Sequence, residues 1–534
     1  MSDAARHESP PRRSWRWGVA TLGLLALTTI GGFLVHAHAR RGEEPAPMGL
    51  AVFATDDTAI PDDTVLLQEL QKAIDLRRRE TFDRVLDARD PGELIEHATL
   101  TEKALDRHLL GIDALFVVGD EMFGYLFRPE NGWGSGGAAD RRATDYTPRL
   151  RRIHQGASGG PDAFDCFSCH SKGGVDGAGT QTQNAFLRGD GERTGAADQR
   201  NAPHLLGLGP IACLAREMSA ELQKQAAEAR VRAKADGRPV EQALTTKGVS
   251  FGHVTADPDG NLDTSTVDGV DPDLTVRPFG WKGHQATIRD IAEESLHIHQ
   301  GLISNRIQFA ARDGTLSDSA PYGKGPWYDL DEDGVSLEID PGMLTTMVAY
   351  LAQLEVPVIR PPRNPGLLDA WAAGRSRFDA IGCATCHVPT LELQDTKLDA
   401  RQPADPDHVA FVIDVAKDGD GPKVEPKYAG YVTPYLVHLF SDLKRHDMGN
   451  ALASPAPQGA IPARVFLTRP LWGIAETAPY LHDGRAPTLH DAIVLHGGEA
   501  AKSRDAYLAL DEPGRASVRV FLASLSREPK LFVP

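Results

Sequence analysis

The chain has 534 residues, long enough for two to four domains, with 57 basic and 74 acidic side chains and a formal charge of −17. That balance excludes the electrostatic footprint needed to hold a phosphate backbone, so nucleic acid is not expected as a partner. Hydrophobic residues at 41% and charged ones at 25% describe an ordinary globular body, not a disordered or polytopic membrane chain.

The N-terminus departs from that pattern. Trp17 to His36 contains no Asp, Glu, Lys or Arg and lies between Arg12, Arg13 and Arg16 on one side and Arg40 and Arg41 on the other. About 20 apolar residues match a bilayer span, while Ala37-His38-Ala39 imitates a signal-peptidase site. Residues 1–47 are therefore expected to hold one N-terminal hydrophobic helix, either a membrane anchor or a cleaved signal, followed by a linker. Both alternatives export the body to the periplasm. Residues 48–160 form a region of unassigned role, with a helical pattern over Leu66 to Arg79 and apolar runs around Leu115 to Phe127. Gly156-Ala157-Ser158-Gly159-Gly160 satisfies the loose G-x-S-x-G pattern, but the polar stretch before it is no buried strand, which argues against a hydrolase.

The strongest signal is a pair of identical spacings, Cys166-Phe167-Ser168-Cys169-His170 and Cys383-Ala384-Thr385-Cys386-His387. Two thiols at this spacing add to the two vinyl groups of one porphyrin, and the adjacent histidine becomes the axial ligand of its iron. Two covalently bound c-type haems are expected. A thioredoxin-like pair or a zinc ribbon would leave the histidine after each second cysteine unexplained. Cys213 reads as a buried apolar side chain.

Between the motifs, Glu217 to Lys234 reads as a polar helix and Gly248 to Val267 as a hairpin around Pro258-Asp259-Gly260. Asp329-x-Asp331-x-Asp333-Gly334, with Asp340 at the twelfth position, has the layout of a calcium loop, the alternative being a solvated acidic turn. Met343 to Leu354 is an amphipathic helix that stops before the proline-rich Arg360 to Pro365. This gives a first haem domain over 161–360 and a second over 361–534. In the second, helices are expected over Leu367 to Ile381, Thr488 to His496 and Ala516 to Leu525.

Function turns on the face of each iron opposite its motif histidine, because a haem closed on both faces only passes electrons. His204, His253, His284, His297 and His299 are available after the first motif, and His446, Met448, His482, His490 and His496 after the second. Spacing does not rank them.

Arg200-Asn201-Ala202-Pro203, Arg469-Pro470-Leu471-Trp472-Gly473 and Ala478-Pro479-Tyr480-Leu481-His482-Asp483-Gly484-Arg485, followed by Thr488-Leu489, resemble the di-haem oxidoreductases. These are the relatives of bacterial cytochrome c peroxidase and of the enzyme that matures methylamine dehydrogenase. Ser441-Asp442-Leu443, His446-Asp447-Met448-Gly449 and His496 to Ala500 are similar to the branch called thiol oxidoreductases or peroxidases. The resemblance spans about residues 155 to 530. It implies a mainly α fold of two cytochrome c-like domains with loop-rich and small β insertions. It also implies a peroxidatic haem at Cys166/Cys169/His170 and an electron-transfer haem at Cys383/Cys386/His387. Hydrogen peroxide is the implied substrate, a small redox protein the implied donor or acceptor, and calcium an added cofactor.

His496 falls where the peroxidases place a methionine, so the second haem is expected to be ligated by His387 and His496, with Met448 as the alternative. His482 is expected to be structural beside the haem. The tryptophan-containing segment that leads to the peroxidases' catalytic acid is missing after Pro203, which leaves Glu217 and His204 as the candidate catalytic residues. Trp281 or Trp472 is a candidate electron relay. Two other readings stay open: an electron carrier with His204 closing the first haem, and oxidation of a protein or organic substrate through a high-valent di-haem state.

Overall fold

The computed structural model describes residues 105, 111–134, 153–155, 162–190, 193–316, 322, 325–336, 338–401, 410–428, 430 and 433–528. The expected N-terminal hydrophobic helix, the helix over Leu66 to Arg79 and the Gly156–Gly160 pattern lie outside them. Among the described residues no helix is long and apolar enough to cross a membrane.

Nine helices are described: α1 Ile112–Gly124, α2 Leu208–Asp236, α3 Ile288–Ser295, α4 Asn305–Arg312, α5 Pro341–Ala352, α6 Pro365–Ala380, α7 Leu489–Leu495, α8 Ala501–Ala509 and α9 Glu512–Leu522. Between them run fifteen short strands in six sheets of two or three strands. The expectation of a mainly α chain is thus corrected. Among the described residues helix accounts for 38% and strand for 16%. The physical reason is that the long connections between helices satisfy their backbone groups by pairing with one another, in pieces too short to leave a periodic apolar pattern.

The pairings are local. β1 Ile153–Gln155, β2 Ala185–Gly189 and β3 Asp198–Arg200 form one sheet, with β1 parallel to β2 and β2 antiparallel to β3. β4 Val240–Thr246, β5 Val249–Ala256 and β6 Leu262–Asp263 form an antiparallel meander. The hairpin expected around Pro258-Asp259-Gly260 is formed by β5 and β6, and a second turn at Lys247-Gly248, where both residues have positive φ, joins β4 to β5. In the C-terminal half, β13 Arg445–Asp447 pairs with β14 Val465–Leu467, and β7 Val358–Ile359 with β15 Leu525–Ser526.

Helix α5 is the centre of the larger core. All residues from Gly342 to Ala352 are buried, so the helix expected to be amphipathic is instead enclosed on every side. It lies so close to α1 that a Cβ on Gly119 would fall 2.2 Å from the carbonyl oxygen of Thr346. Tyr350 packs on Phe116 and Phe123 and donates its hydroxyl to Asp176 Oδ1 at 2.6 Å, which ties α5 to the loop after the first cysteine motif. The buried half of α2 joins this core through Leu208, Ile211, Leu214, Met218 and Leu222, while its outer half supports the β4–β5 hairpin.

A second core joins α6 and α9. Gly374 permits the approach, because a Cβ there would lie 1.9 Å from the carbonyl oxygen of Ser517. Phe378, Phe440 and Phe521 meet edge to face at its centre, with ring centroids 5.3 to 6.1 Å apart. Phe521→Ala should cost about 3–5 kcal/mol by loss of burial and creation of a cavity. Denaturant unfolding of the purified protein checks this, with a downward shift in midpoint as the expected result.

Candidate functional site

The second cysteine motif is delivered by a helix end. Asn364 caps α6 by accepting from the backbone N–H groups of Gly366 and Leu367, and Pro365 occupies its first position. Gly382, with φ +87°, turns the chain out of α6 into the tight turn Cys383–Thr385. His387 then donates Nδ1–H to the Phe440 carbonyl at 3.1 Å. Opposite it, Thr488 caps α7, and the residue that ends that helix is His496, whose Nδ1–H goes to the Ala492 carbonyl at 2.7 Å. Both Nδ1 atoms are occupied, so both Nε2 atoms keep their lone pairs for a metal.

The ring centroids of His387 and His496 are 6.4 Å apart. Two metal–imidazole bonds of about 2 Å each, in line, separate ring centroids by roughly 6 Å. The pair therefore fits a single iron between them. Desolvation pulls the His387 pKa down to about 4 and lowers that of His496, which keeps both imidazoles neutral as ligation requires.

A mostly apolar cavity of about 620 Å³ opens between these histidines. Cys383, Cys386, Met448 and Leu452 line it, together with Trp281, His204, Arg469 and His482 from further along the wall. Arg469 is the informative member. No carboxylate among the described residues forms a salt bridge with its guanidinium, which stacks 5.5 Å from the Trp281 ring, and desolvation pulls its pKa down to about 10. A buried cation facing an apolar cavity asks for an anionic ligand, and the propionates of a haem are of that kind. Cavity, cysteine pair, histidine pair and arginine together fit the group.

His446 is held between two carboxylates, Asp442 on Nε2 at 2.8 Å and Glu499 on Nδ1 at 2.7 Å. Burial opposes its charge, but these hydrogen bonds outweigh it and push the pKa up to about 11. With both nitrogens engaged it is a fixed cation beside Cys386, 4.0 Å from Sγ. Met448 lines the cavity, while its backbone pairs with Arg464. His482 stacks on Phe466 at 4.5 Å, and its carbonyl accepts from Asn201 N–H at 2.8 Å.

The first motif is anchored on α1, with Cys166 N–H bonded to the Phe123 carbonyl at 3.0 Å. Phe123 packs on Phe167 and His170, and His170 donates Nδ1–H to the Gly177 carbonyl at 3.3 Å. Desolvation pulls the His170 pKa to about 4 and pushes both thiols up, Cys169 to about 12. The donor set again presents two thiols and one neutral imidazole with Nε2 available, as a haem requires.

The segment around α3 repeats the segment around α7. Pro278 to Asp290 and Pro479 to Asp491 align without a gap and share Pro, Gly, Thr and Asp at the same places. The Phe279–Gln285 bridge matches Tyr480–Ala486, and positive φ recurs at Gly280 and Leu481 and at Gly283 and Gly484. Thr287 caps α3 through Asp290 N–H as Thr488 caps α7 through Asp491 N–H. In this register the counterpart of His496 is Ser295, whose hydroxyl is turned back to the Ile291 carbonyl at 2.7 Å. Past Ser295 the chain continues through a π-helical turn, Leu296–Gln300. There His299 Nδ1 meets the Asp162 carboxylate at 3.1 and 3.3 Å.

The other expected site residues separate. Glu217 pairs with Lys247 at 2.5 Å and accepts from the backbone N–H groups of Gln394 and Asp395, so it clamps α2 to its neighbours and does not line the cavity. His204 does line it, with Nδ1 buried and without a hydrogen-bond partner, and desolvation with nearby Arg469 pulls its pKa to about 3. Trp281 donates to the Asn201 carbonyl at 2.8 Å, and Trp472 is buried against Gly207. Cys213 is buried.

Asp329, Asp331 and Asp333 gather with oxygens within 4.8 Å of one another. Asp340 instead caps α5, accepting from Gly342 N–H at 2.8 Å. Glu338 is the acid that neighbours all three aspartates. One of its oxygens accepts from Ile303 N–H at 2.7 Å and the other is buried without a hydrogen-bond partner, and burial with those aspartates holds its pKa well above the carboxylate range. Sequence reasoning missed Glu338, Arg469, Ser295 and the Asp162–His299 pair, although the repeated Pro-x4-Gly-x3-Thr-x2-Asp pattern was there to align.

Residues 329–525 match the family model described as "Di-haem oxidoreductase, putative peroxidase". No curated protein matches the sequence. Among solved structures the chain is similar to hydrazine synthase of Kuenenia stuttgartiensis, at 14% identity and a TM-score of 0.32, over 77% of this chain and 87% of that one. It is also similar to a MauG-like protein associated with microbial copper homeostasis, at 14% identity and a TM-score of 0.25, over 60% and 90% of the two chains. The match covers the second cysteine motif and the histidine pair around it.

Removing His446 would leave Asp442 buried and unpaired, so His446→Gln should destabilise the protein by about 3–5 kcal/mol. The folded pKa lies above the unfolded one, so this contribution is complete below about pH 6.5 and disappears as pH rises toward 11. Comparing wild type and His446→Gln by chemical unfolding at pH 6.5 and pH 10 checks it, with the larger difference expected at pH 6.5.

Proposed function

We propose that this chain is a periplasmic di-haem peroxidase. It would reduce hydrogen peroxide at a c-type haem held by Cys166, Cys169 and His170, with electrons from a small redox protein entering through a second c-type haem held by Cys383, Cys386 and His387. The observation that carries the reading is the inequality of the two repeated modules. His496 stands opposite His387 at the spacing for two imidazoles on one iron, while its counterpart in the first module is Ser295, a poor iron ligand turned away to Ile291. One haem closed on both faces and one open on one face is the division of labour that peroxide reduction requires.

The haems supply electron storage and peroxide activation; the protein supplies the rest. Cys166 with Cys169 and Cys383 with Cys386 would hold one haem each through its vinyl groups. Carbonyl oxygens of Gly177, Phe440 and Ala492 hold the three imidazoles in the tautomer that binds iron. Arg469 on the cavity wall would meet propionate charge, and the apolar lining would exclude water from the second site. Overall, one hydrogen peroxide, two electrons and two protons give two waters. Export to the periplasm is supported by the arginine-flanked apolar stretch over residues 17–36.

A calcium ion at Asp329, Asp331, Asp333 and Glu338 belongs to the same proposal. Its support is the convergence of three carboxylates with a fourth whose buried oxygen has no hydrogen-bond partner. Calcium should raise the thermal midpoint, a chelator should lower it, and Glu338→Gln should abolish the difference in a thermal melt.

Electron paramagnetic resonance of the oxidised protein tests the haem assignment. One low-spin and one high-spin signal are expected. His496→Met should keep a low-spin signal and raise the potential of that haem, because a thioether ligand favours the reduced iron. Two low-spin signals in the wild type, or a potential unmoved in His496→Met, would overturn the reading.

A further inference from the structure

The first module carries a histidine that no element of the second possesses. We propose that His299, oriented by Asp162, is the proton-transferring residue of the first haem site. This rests on the peroxidase reading above and names the group that handles the substrate proton there.

The placement follows from chain geometry. Helices α3 and α7 are the same element of a repeated module, and α7 delivers His496 directly to the second site. In the first module the ligand position holds Ser295, and the chain does not stop there. It widens into the π-helical turn Leu296–Gln300, a distortion that concentrates at functional sites. The turn ends at Gly301, where φ is +81° and a Cβ would lie 1.1 Å from the Gly134 carbonyl oxygen, so its path is fixed by a position that accepts only glycine.

The turn is bonded to the loop that carries the first cysteine motif. Asp162 and Ala163 donate their backbone N–H groups to the His299 carbonyl at 2.9 and 3.2 Å. Gln300 reaches Cys166 Sγ at 3.8 Å, and His299 is close enough for its charge to act on His170. His299 is thereby held through both its backbone and its side chain to Asp162 and Ala163, just before the first motif, and the next residue touches Cys166.

The partner of Nδ1 decides the role. His170, His387 and His496 each give Nδ1–H to a backbone carbonyl, which suits a neutral ring that binds metal. His299 gives Nδ1 to a carboxylate, which stabilises the ring when Nε2 also holds a proton. A ring that can accept a proton and keep it is an acid–base group, whereas a permanent ligand must stay unprotonated on Nε2. Neither Glu217, locked to Lys247 and two backbone N–H groups, nor His204, on the wall of the second cavity, has this arrangement.

In the step assigned, neutral His299 takes one proton of hydrogen peroxide on Nε2 and returns it to the departing oxygen as the O–O bond breaks. That oxygen leaves as water. The redox-protein donor supplies two electrons, one at a time, and two solvent protons complete the second water.

The test uses the full haem-loaded protein and His299→Gln, with haem content and the high-spin signal confirming that the site is intact. Hydrogen cyanide is the second probe, because it must also give up a proton to bind and it binds without turnover. His299→Gln should lower kcat/KM for peroxide by roughly 10²- to 10⁴-fold, the usual range for loss of an acid–base group, and slow cyanide association at least about tenfold. If His299→Gln does not retain haem, Asp162→Asn carries the same test, with a smaller fall in both rates expected. Cyanide association unchanged in the variants sinks the inference. So does a wild type with two low-spin signals in which His299→Gln turns one high-spin, since His299 is then a ligand. A wild type that consumes no peroxide but loses cyanide association in His299→Gln would keep the proton role and remove the peroxidase reading.

Discussion

The hydrogen bond from an imidazole Nδ1 to a backbone carbonyl is the interaction on which this structure is organised. It fixes the ring's tautomer, its orientation and the direction of its remaining lone pair at once. For His387 the acceptor is Phe440, whose φ of +56° is unusual for a bulky residue. The aromatic core holds that conformation, because the Phe440 ring packs on Phe378 and Phe521. Packing distant from the cavity thus sets the aim of a ligand inside it, and the cost of the strained backbone is offset by buried ring contacts.

The same device, used in two modules with one difference, produces two sites of different character. Equal capping threonines, equal left-handed turns and equal bridges bring α3 and α7 to corresponding places. Only after the helix do they diverge, one chain ending at His496 and the other running past Ser295 into a π-helical turn. The asymmetry is therefore local and cheap in sequence, while the shared scaffold remains intact.

The sequence was legible where chemistry dictates spacing. Two thiols and a histidine must sit as CxxCH to serve one porphyrin, so both attachment motifs were readable, and the caps and stops of α5, α6 and α7 were close to their expected bounds. Legibility failed where geometry depends on long-range partners. Glu217 looked like a catalytic acid because a carboxylate on a polar helix gives no hint that Lys247 and two backbone N–H groups will claim it. Asp340 fitted the spacing of a calcium loop, yet an aspartate directly before a proline-started helix is also a good cap, and the cap won. The hairpin over Gly248 to Val267 showed its alternation, but most other strands escaped notice because two or three residues show none. The repeated module was obscured because most of its positions differ, and what is preserved is backbone conformation at a few turns.

Trp281 donates to the Asn201 carbonyl across the whole stretch that holds α2 and the β4–β5–β6 meander. The two ends of that stretch are thereby sealed to each other. Asn201 also donates to the carbonyl of His482, the residue that corresponds to Trp281 in the other module. A single residue is a seam between the two halves and the closure of an insertion. Length and sequence at the outer end of α2 are then free to change without moving the cysteine motifs. That region is where the molecule can acquire new surface without disturbing the iron-facing residues.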